Sequence, residues 1–339
     1  MILIDGSYLE GGGQIIRTSI ALSAITGKPV KIENIRAKRR NPGLRAQHLK
    51  GIEATTELCN AELKNAKIGS TSIEFIPKKI EGGYLSIDVG TAGAISLVLQ
   101  TLVLPSLHAE NEVVLEITGG TDVKWSPTTT YFQHIFCDFL KKMNIDIHIE
   151  TLKHGFYPKG GGKVKIIIKP CKELKTINLT KREDLKRIDI WSIASENLKN
   201  RKVAERQVEG AKKALGKSFE NVNISYVPTL SPGSSINPHA HFENCKLGAS
   251  ELGERGKLAE KVGEEAAKSL VKQIDSNACL DKWMADQILP YMALAGNSKV
   301  SVAEITNHVR TNIWVIEKFL SVKFEIDETN KIIFCQRIS

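Results

Sequence analysis

The sequence predicts an α/β (α+β) protein made of three copies of one strand–helix–strand–helix–strand unit, with a smaller α/β module inserted in the third. Three observations carry that expectation. Short β-branched runs alternate with amphipathic helical stretches along the chain. The same order starts near Ile2, again at Tyr84 and again at Lys175, a spacing too long for a solenoid. In the third copy the pattern stops at Leu179 and resumes at Leu280. The expected division is therefore residues 1–181 and 277–339 as one large domain and 182–276 as the insert, in line with a prior of about two domains for 339 residues.

The first unit reads as a strand at Ile2–Ile4, a glycine turn at Gly11–Gly13, a helix from Gln14 to about Ile25, and a strand over Val30–Ile35. A long helix from Leu44 to Asn65 and a strand at Ile73–Ile76 complete it. The second unit has a strand at Tyr84–Val89, a helix from Thr91 to His108, a strand at Val113–Ile117 and a helix from Thr129 to Met143. Strands at Ile145–Glu150 and Val164–Ile168 follow. The third unit begins at Lys175–Leu179 and continues with a helix over Leu280–Ala295, a strand from Val300 to Ile305, a helix and a strand at Val322–Ile326. The insert carries strands at Ile188–Ile193 and Val222–Val227, charged helices over Val203–Leu215 and Lys257–Gln273, and a Pro/Gly/Ser turn at Pro228–Ser235. Each unit makes a small sheet covered by two helices, and three such units pack their helices inward around one core.

The formal net charge of +9 suits an anionic partner such as RNA or a nucleotide, although many lysine-rich soluble proteins are as basic. The six cysteines are scattered without a C-x-x-C pair, which points to reduced thiols rather than a disulfide scaffold or a zinc site. His239 and His241 lack cysteine partners and read as ordinary strand histidines. No apolar run approaches the ~20 residues that a membrane helix needs, and MILIDGSYLEGGG is no secretory leader. A soluble, cytoplasmic protein without a membrane partner is expected.

Chemistry concentrates where helices begin. In KVSVAEITNHVRTNIWVIEKFL, Thr306 is a good N-cap, and Val309, Ile313, Ile316 and Leu320 form a helical stripe. His308 then lies in the first turn of a helix, where the positive helix end disfavours imidazolium and unpaired N–H groups favour phosphate. A neutral histidine beside a phosphate cradle suits covalent nucleotidyl transfer; a capping or packed histidine is the alternative. In DGSYLEGGGQIIRTS, three glycines precede a helix without the Lys-Ser/Thr of a Walker loop. Glu10 can hold Mg²⁺ there and Arg17 lies one turn on, or the stretch is only a tight turn. RAKRRNPGLRAQHLK offers Arg36, Arg39, Arg40 and Arg45 as phosphate clamps, or a solvated loop. FYPKGGGKV reads as a hairpin turn. Trp283, Asp286 and Gln287 share one helix face, placed either to stack a base and hold its sugar or in the core.

Taken in order, DG-x-x-x-EGGGQI-x-R (Asp5–Arg17), IRAKRRNPGL-x-x-QH (Ile35–His48), GTAGAISLVLQT (Gly90–Thr101), GGTD with Pro127, FYPKGGG, ADQ-x-L-x-x-MALAG (Ala285–Gly296) and HVRTN (His308–Asn312) resemble the RNA 3′-terminal phosphate cyclase family from end to end. The resemblance implies an ATP-dependent ligase that closes an RNA 3′-phosphate onto the vicinal 2′-hydroxyl through a covalent histidine–AMP and an RNA-linked adenylate. It makes His308 the nucleophile, Trp283, Pro127 and Tyr131 the adenine sandwich, and Gln100, Asp286 and Gln287 nucleotide contacts. Glu10 is the implied ligand of Mg²⁺ or Mn²⁺, and Arg17, Arg36, Arg39 and Gln47 meet ATP phosphates or the RNA end. Tryptophan at 283 departs from the tyrosine that family members carry, keeping the stack but not a hydroxyl. The implied fold is three repeats similar to the C-terminal domain of bacterial translation initiation factor three, plus an inserted domain, and a homodimer stays open. A non-catalytic cyclase-like factor of ribosome biogenesis, which would lack the histidine, and an enolpyruvyl transferase of related architecture are the competing expectations.

Overall fold

A computed structural model of the chain describes residues 1–216 and 219–338. The chain opens with β1 (Ile2–Asp5), α1 (Gly13–Thr26), β2 (Val30–Glu33), α2 (Ala46–Leu58), β3 (Glu62–Lys64) and β4 (Ile73–Ile76), whose strands pair in the order β1-β2-β4-β3. Then come β5 (Gly83–Asp88), α3 (Ile95–Ser106), β6 (Val113–Gly119), α4 (Thr129–Tyr131) and α5 (Cys137–Lys142), the last two joined by a wide π turn. With β7 (Ile147–Lys153) and β8 (Gly162–Ile168) this makes a second sheet ordered β5-β6-β8-β7. In both sheets the first two strands run parallel and the remaining pairs antiparallel.

A short β9 (Asn178–Leu179) leads into β10 (Leu185–Ser195), α6 (Val203–Leu215), β11 (Asn221–Val227), β12 (Ser234–Phe242), β13 (Lys246–Gly248), β14 (Glu251–Leu252) and α7 (Ala259–Asp275). β10 to β14 form a five-stranded sheet of their own, against which α6 and α7 pack side by side. The chain then returns through α8 (Met284–Gln287), α9 (Leu289–Ala295), β15 (Ser298–Ser301), α10 (Asn307–Phe319), β16 (Val322–Asp327) and β17 (Ile332–Arg337). β9 pairs parallel with β15, more than a hundred residues away, in a third sheet ordered β9-β15-β17-β16. Three sheets thus share one strand order and one pattern of directions. The protein is a mixed α/β chain with four small mixed sheets, and among the described residues no helix is long and apolar enough to cross a membrane.

Each of the three alike sheets has four strands, so the five-element unit expected from the sequence is one strand short. In the first unit the missing strand is β3, inside the segment expected to stay helical to Asn65. The helix stops at Leu58 because Cys59 leaves helical geometry and Asn60 turns left-handed at φ 49°, after which Glu62–Lys64 ladder onto β4. In the third unit it is β17, which pairs with both β15 and β16. The long helix expected over Leu280–Ala295 is likewise two short ones, with Pro290 opening the second. All six cysteines are unpaired, as their spacing suggested.

The helix α1 is the centre of the assembly. Its sequence, GQIIRTSIALSAIT, is apolar or small almost all round, so it is buried on nearly every side and packs against α2, α3 and α10. Because α1, α3, α8 and α10 meet there, the few polar side chains they carry are forced onto one another.

Candidate active site

The N-terminus of α10 is built as its sequence suggested. The Thr306 hydroxyl accepts the Val309 N–H at 3.2 Å, fixing His308 in the first turn with 44% of its side chain exposed. Its ring is held from α1: Nδ1 lies 2.6 Å from Oε1 of Gln14. The Gln14 amide nitrogen donates to Asp286 Oδ2 at 2.9 Å and to the His308 carbonyl at 3.2 Å, which leaves Oε1 as the atom facing the ring. An acceptor at that position favours a proton on Nδ1. Nε2 points out of the helix bundle toward Glu10, 3.0 Å from Oε2, and Arg39 reaches the same carboxylate at 3.5 Å. Burial holds His308 below the ordinary imidazole pKa; Arg17 and Arg39 push the same way and Glu10 opposes them. Both ring nitrogens thus face an acceptor, Gln14 on one side and Glu10 on the other, while burial works against the imidazolium that would satisfy both.

The glycine run supplies the space in front of it. A Cβ on Gly12 would stand 3.2 Å from an Arg39 guanidinium nitrogen and 3.8 Å from His308 Cε1, so the bare backbone there lines a gap between a cation and the nucleophile candidate. Gly13 is required for a different reason: a side chain would run into the His48 ring. That ring belongs to the scaffold. His48 Nδ1 accepts the Arg45 N–H at 3.2 Å, closing the start of α2, and burial with Arg17, Arg36 and Arg45 nearby drives its pKa to about 3. His134, the other histidine near the motifs, stacks on Trp191 at 4.4 Å.

Behind His308 a polar chain crosses the bundle. The half-buried Arg17 donates to Gln100 Oε1 at 3.0 Å, Gln100 donates to Gln287 at 2.9 Å, and Gln287 donates to the Trp283 carbonyl at 2.6 Å. Asn312 ties the ends together, donating to the Asp286 carbonyl at 2.7 Å and accepting from Thr18 at 2.6 Å. A water-sized cavity of about 40 Å³ lies among these residues, too small for a base. Burial raises Asp286 to about 7 against the pull of Arg17, and desolvation lowers Arg17 to about 10.

The expected site residues do not all play their expected parts. Trp283 is half-buried, with its ring edge-on to Tyr131 at 6.5 Å and the Lys282 ammonium 4.8 Å from its centroid. Tyr131, expected as a face of the adenine sandwich, is only 2% exposed and donates its hydroxyl to Asp281 at 2.7 Å, so it buttresses Trp283 from the side. Pro127 is half-buried, its carbonyl held by Ser96 at 2.7 Å. Asp286 and Gln287 turn inward, to Gln14 and Gln100. Nη1 of Arg36, expected at a phosphate, is committed to the carbonyls of Asn41 and Gly43 at 2.8 Å each and folds its own loop. Gln47 spends its carbonyl on the Ala94 N–H at 3.0 Å, pinning the turn before α3.

Two residues that matter were missed. Gln14 reads as one more helix residue, and Asp281 as another, inside the helix expected over Leu280–Ala295. Asp281 is buried and accepts from Tyr131, from Gly248 at 3.0 Å and from the N–H groups of Trp283 and Met284 at 3.0 and 2.8 Å, which sets the Trp283 backbone. An acid two and three residues before a helix start is a capping signal and was readable as one; the Gln14 contact, spanning 294 residues, had no local signal.

Arg39, Glu10 and the bare Gly12 backbone fit a nucleotide phosphate with its divalent ion. Among the described residues no three His, Cys, Asp or Glu side chains cluster to hold a metal by themselves. A magnesium ion needs no such cluster where one carboxylate, waters and substrate phosphates complete its shell, and Glu10 is the carboxylate beside Arg39 and His308.

A sequence model of the family described as RNA 3′-terminal phosphate cyclase matches residues 8–326. The protein of that name from Pyrococcus abyssi is 47% identical over 329 residues, covering 96% of this chain and 95% of its own. Its namesake from Methanosarcina barkeri is 44% identical over 330 residues, covering 97% of each. Among solved structures, the enolpyruvyl transferase NikO from Streptomyces tendae aligns with 49% of this chain and 32% of its own at 14% identity and a TM-score of 0.29, too low to relate the folds.

Proposed function

The chain belongs to the RNA 3′-terminal phosphate cyclase family, and from that premise we propose that it converts an RNA 3′-phosphate to a 2′,3′-cyclic phosphodiester at the expense of ATP, through a covalent adenylate on His308. The observation that supports the residue assignment is the 2.6 Å contact between His308 Nδ1 and Gln14, which favours a proton on Nδ1 and so a lone pair on Nε2 once the nucleotide and its divalent ion draw Glu10 away.

In the first step the Nε2 lone pair attacks the α-phosphorus of ATP. An N–P bond forms, the Pα–O–Pβ bond breaks, and pyrophosphate leaves. The ring gains positive charge as this happens, so the Nδ1–H···Oε1 bond to Gln14 is stronger in the transition state than in the ground state, the condition for lowering a barrier. Arg39 and Arg17 offset the negative charge of the phosphates. Glu10 would hold Mg²⁺ or Mn²⁺, which supplies further charge neutralisation when bound. Trp283 would stack on adenine, with Pro127 opposite.

An oxygen of the RNA 3′-phosphate then takes the adenylyl group from His308, restoring the neutral imidazole. The terminal phosphate thereby acquires AMP as a stable leaving group in place of oxide. The 2′-hydroxyl, held beside the phosphorus by the ribose itself, displaces AMP; such positioning contributes up to ~7–11 kcal/mol. We also read the three sheets of common strand order as repeats of the type in the C-terminal domain of bacterial translation initiation factor three, and residues 182–276 as the inserted domain. The shared order and directions of their strands support that reading.

The test is incubation with α-labelled ATP, followed by gel analysis of an acid-labile, alkali-stable adduct. Wild-type protein is expected to carry label and His308→Asn to carry none, with 3′-phosphorylated RNA acquiring a cyclic end only in the wild type. Label retained in the asparagine variant removes His308 from the role of nucleophile. No label on the wild type would favour a non-catalytic RNA-binding factor.

A further inference from the structure

At the end of the second sheet, two loops display aromatic rings that pack on nothing. Trp125, in the loop after β6, is 95% exposed, and Tyr157, in the loop between β7 and β8, is 76% exposed. Neither ring is there through looseness of its loop. The Thr121 N–H donates to the Gly155 carbonyl at 2.9 Å, and the Gly155 N–H donates to the Thr121 hydroxyl at 3.0 Å, lacing the two loops together. Buried Asp122 locks the junction, accepting from His154 at 3.1 Å and from Ser235 of β12 at 2.9 Å. Trp125 itself has a φ of 64°, a left-handed conformation that bulky residues rarely adopt. A rigid scaffold is holding a large apolar ring in solvent.

The surroundings identify the occupant. Trp125 is flanked by Lys124, which pairs with Glu254 at 3.0 Å, and Tyr157 shares its hairpin with the exposed Lys153 and Lys159. Aromatic faces interleaved with lysines and glycines suit a single strand of nucleic acid, since every base offers a face to stack and every linkage a charge; Leu152 and Leu230, the latter against Gly161 of the same loop, are separate exposed side chains beside them. A protein partner would call for a continuous apolar patch. The place also adjoins Pro127 and the turn held by Gln47, two residues expected at the substrates. Pro127 lies two residues beyond Trp125. The tip of the Tyr157 loop rests on the turn before α3, where a Cβ on Gly160 would stand 2.8 Å from Ala92 Cα, and Gln47 pins that same turn.

Resting on the cyclase reading, we propose that Trp125 and Tyr157 form a stacking platform for the nucleotides immediately 5′ of the reacting RNA end. The platform makes the protein favour unpaired 3′ termini several nucleotides long, whatever their sequence.

The experiment compares Trp125→Ala, Tyr157→Ala, the double variant and Trp125→Phe on two substrates, a dinucleotide and a single-stranded octamer, each bearing a 3′-phosphate. Adenylylation without RNA should be unchanged in all four, since neither ring touches His308 or its partners. Cyclisation of the octamer should lose roughly tenfold in kcat/KM in each alanine variant and about a hundredfold in the double, from ~1–3 kcal/mol per stacked base. The dinucleotide should stay within about twofold, and Trp125→Phe should restore most of the octamer rate. Equal losses on both substrates, or none on the octamer, overturn the platform while leaving the cyclase reading intact. Failure of that reading shows separately, as wild-type protein without adduct. Anisotropy of a fluorescent octamer then decides the platform without turnover: weaker binding by the double variant supports it, and an unchanged Kd overturns it. Self-association of the wild type that the double variant lacks, seen by sedimentation, assigns the rings to a second copy of the chain and also overturns it.

Discussion

Replacing Gln14 by leucine removes the acceptor that orients His308 while keeping the volume of a buried side chain. Three groups lose a partner: Nδ1–H of His308, at 2.6 Å, Oδ2 of Asp286, at 2.9 Å, and the His308 carbonyl, at 3.2 Å. An unsatisfied buried polar group costs about 1–3 kcal/mol, and the half-exposed histidine falls at the lower end because water can reach it. The imidazole also loses its bias toward the Nδ1–H tautomer, so part of the population presents a protonated Nε2. A barrier higher by about 1–2 kcal/mol corresponds to roughly 5–30-fold slower adenylylation. The assay is single-turnover labelling with ATP across a range of concentrations, so that rate and apparent affinity separate; the rate should fall with KM within about twofold. Gln14→Glu gives the sharper reading. A carboxylate beside Nδ1 stabilises imidazolium, so activity should be depressed at neutral pH and recover as pH rises, whereas the wild-type rate should fall off only at a lower pH than the variant's, because His308 lies below its ordinary value. A leucine variant that labels at the wild-type rate with an unaltered pH profile would refute the orienting role.

Trp283→Ala should raise the KM for ATP about ten- to a hundredfold, from ~1–3 kcal/mol of base stacking, with Trp283→Tyr nearly silent; an unchanged KM would return Trp283 to the core. Asp286→Asn should flatten the dependence of thermal stability on pH. The carboxyl is raised to about 7 in the fold, so its favourable contribution is complete below about pH 4, the unfolded value, and is lost as pH climbs through 7. Wild-type Tm should therefore drop more between pH 5 and pH 8 than that of the variant, and parallel curves would remove Asp286 from the account. Replacing residues 182–276 by a short linker should leave His308 adenylylation measurable at saturating ATP but raise the KM, because Asp281 loses the Gly248 N–H that helps seat Trp283. Complete loss of adduct in a variant that folds, by circular dichroism, would extend the role of that segment from the base to the chemistry.

What the sequence determined by itself is local. The N-cap at Thr306 and the stripe behind it placed His308 in the first turn of a helix, and the three glycines before α1 announced a backbone open to a phosphate; both are properties of a few consecutive residues. The order of strands and helices was legible for the same reason, except where Asn60 breaks a segment otherwise suited to a helix and Glu62–Lys64 form β3, at β17, and where Pro290 opens a separate helix. Only tertiary structure decided the rest. Gln14 orients His308 across 294 residues, and Gly248, from a sheet outside the motifs, helps fix Trp283 through Asp281. Nor could spacing tell that Tyr131 would be buried or that Arg36 would be bound to its own loop, while Trp125, beside them in the motif, would stand in solvent. Burial and partnership depend on what the remainder of the chain brings to a residue, and a hydrogen bond two or three ångströms long leaves no trace in the composition around either of its ends.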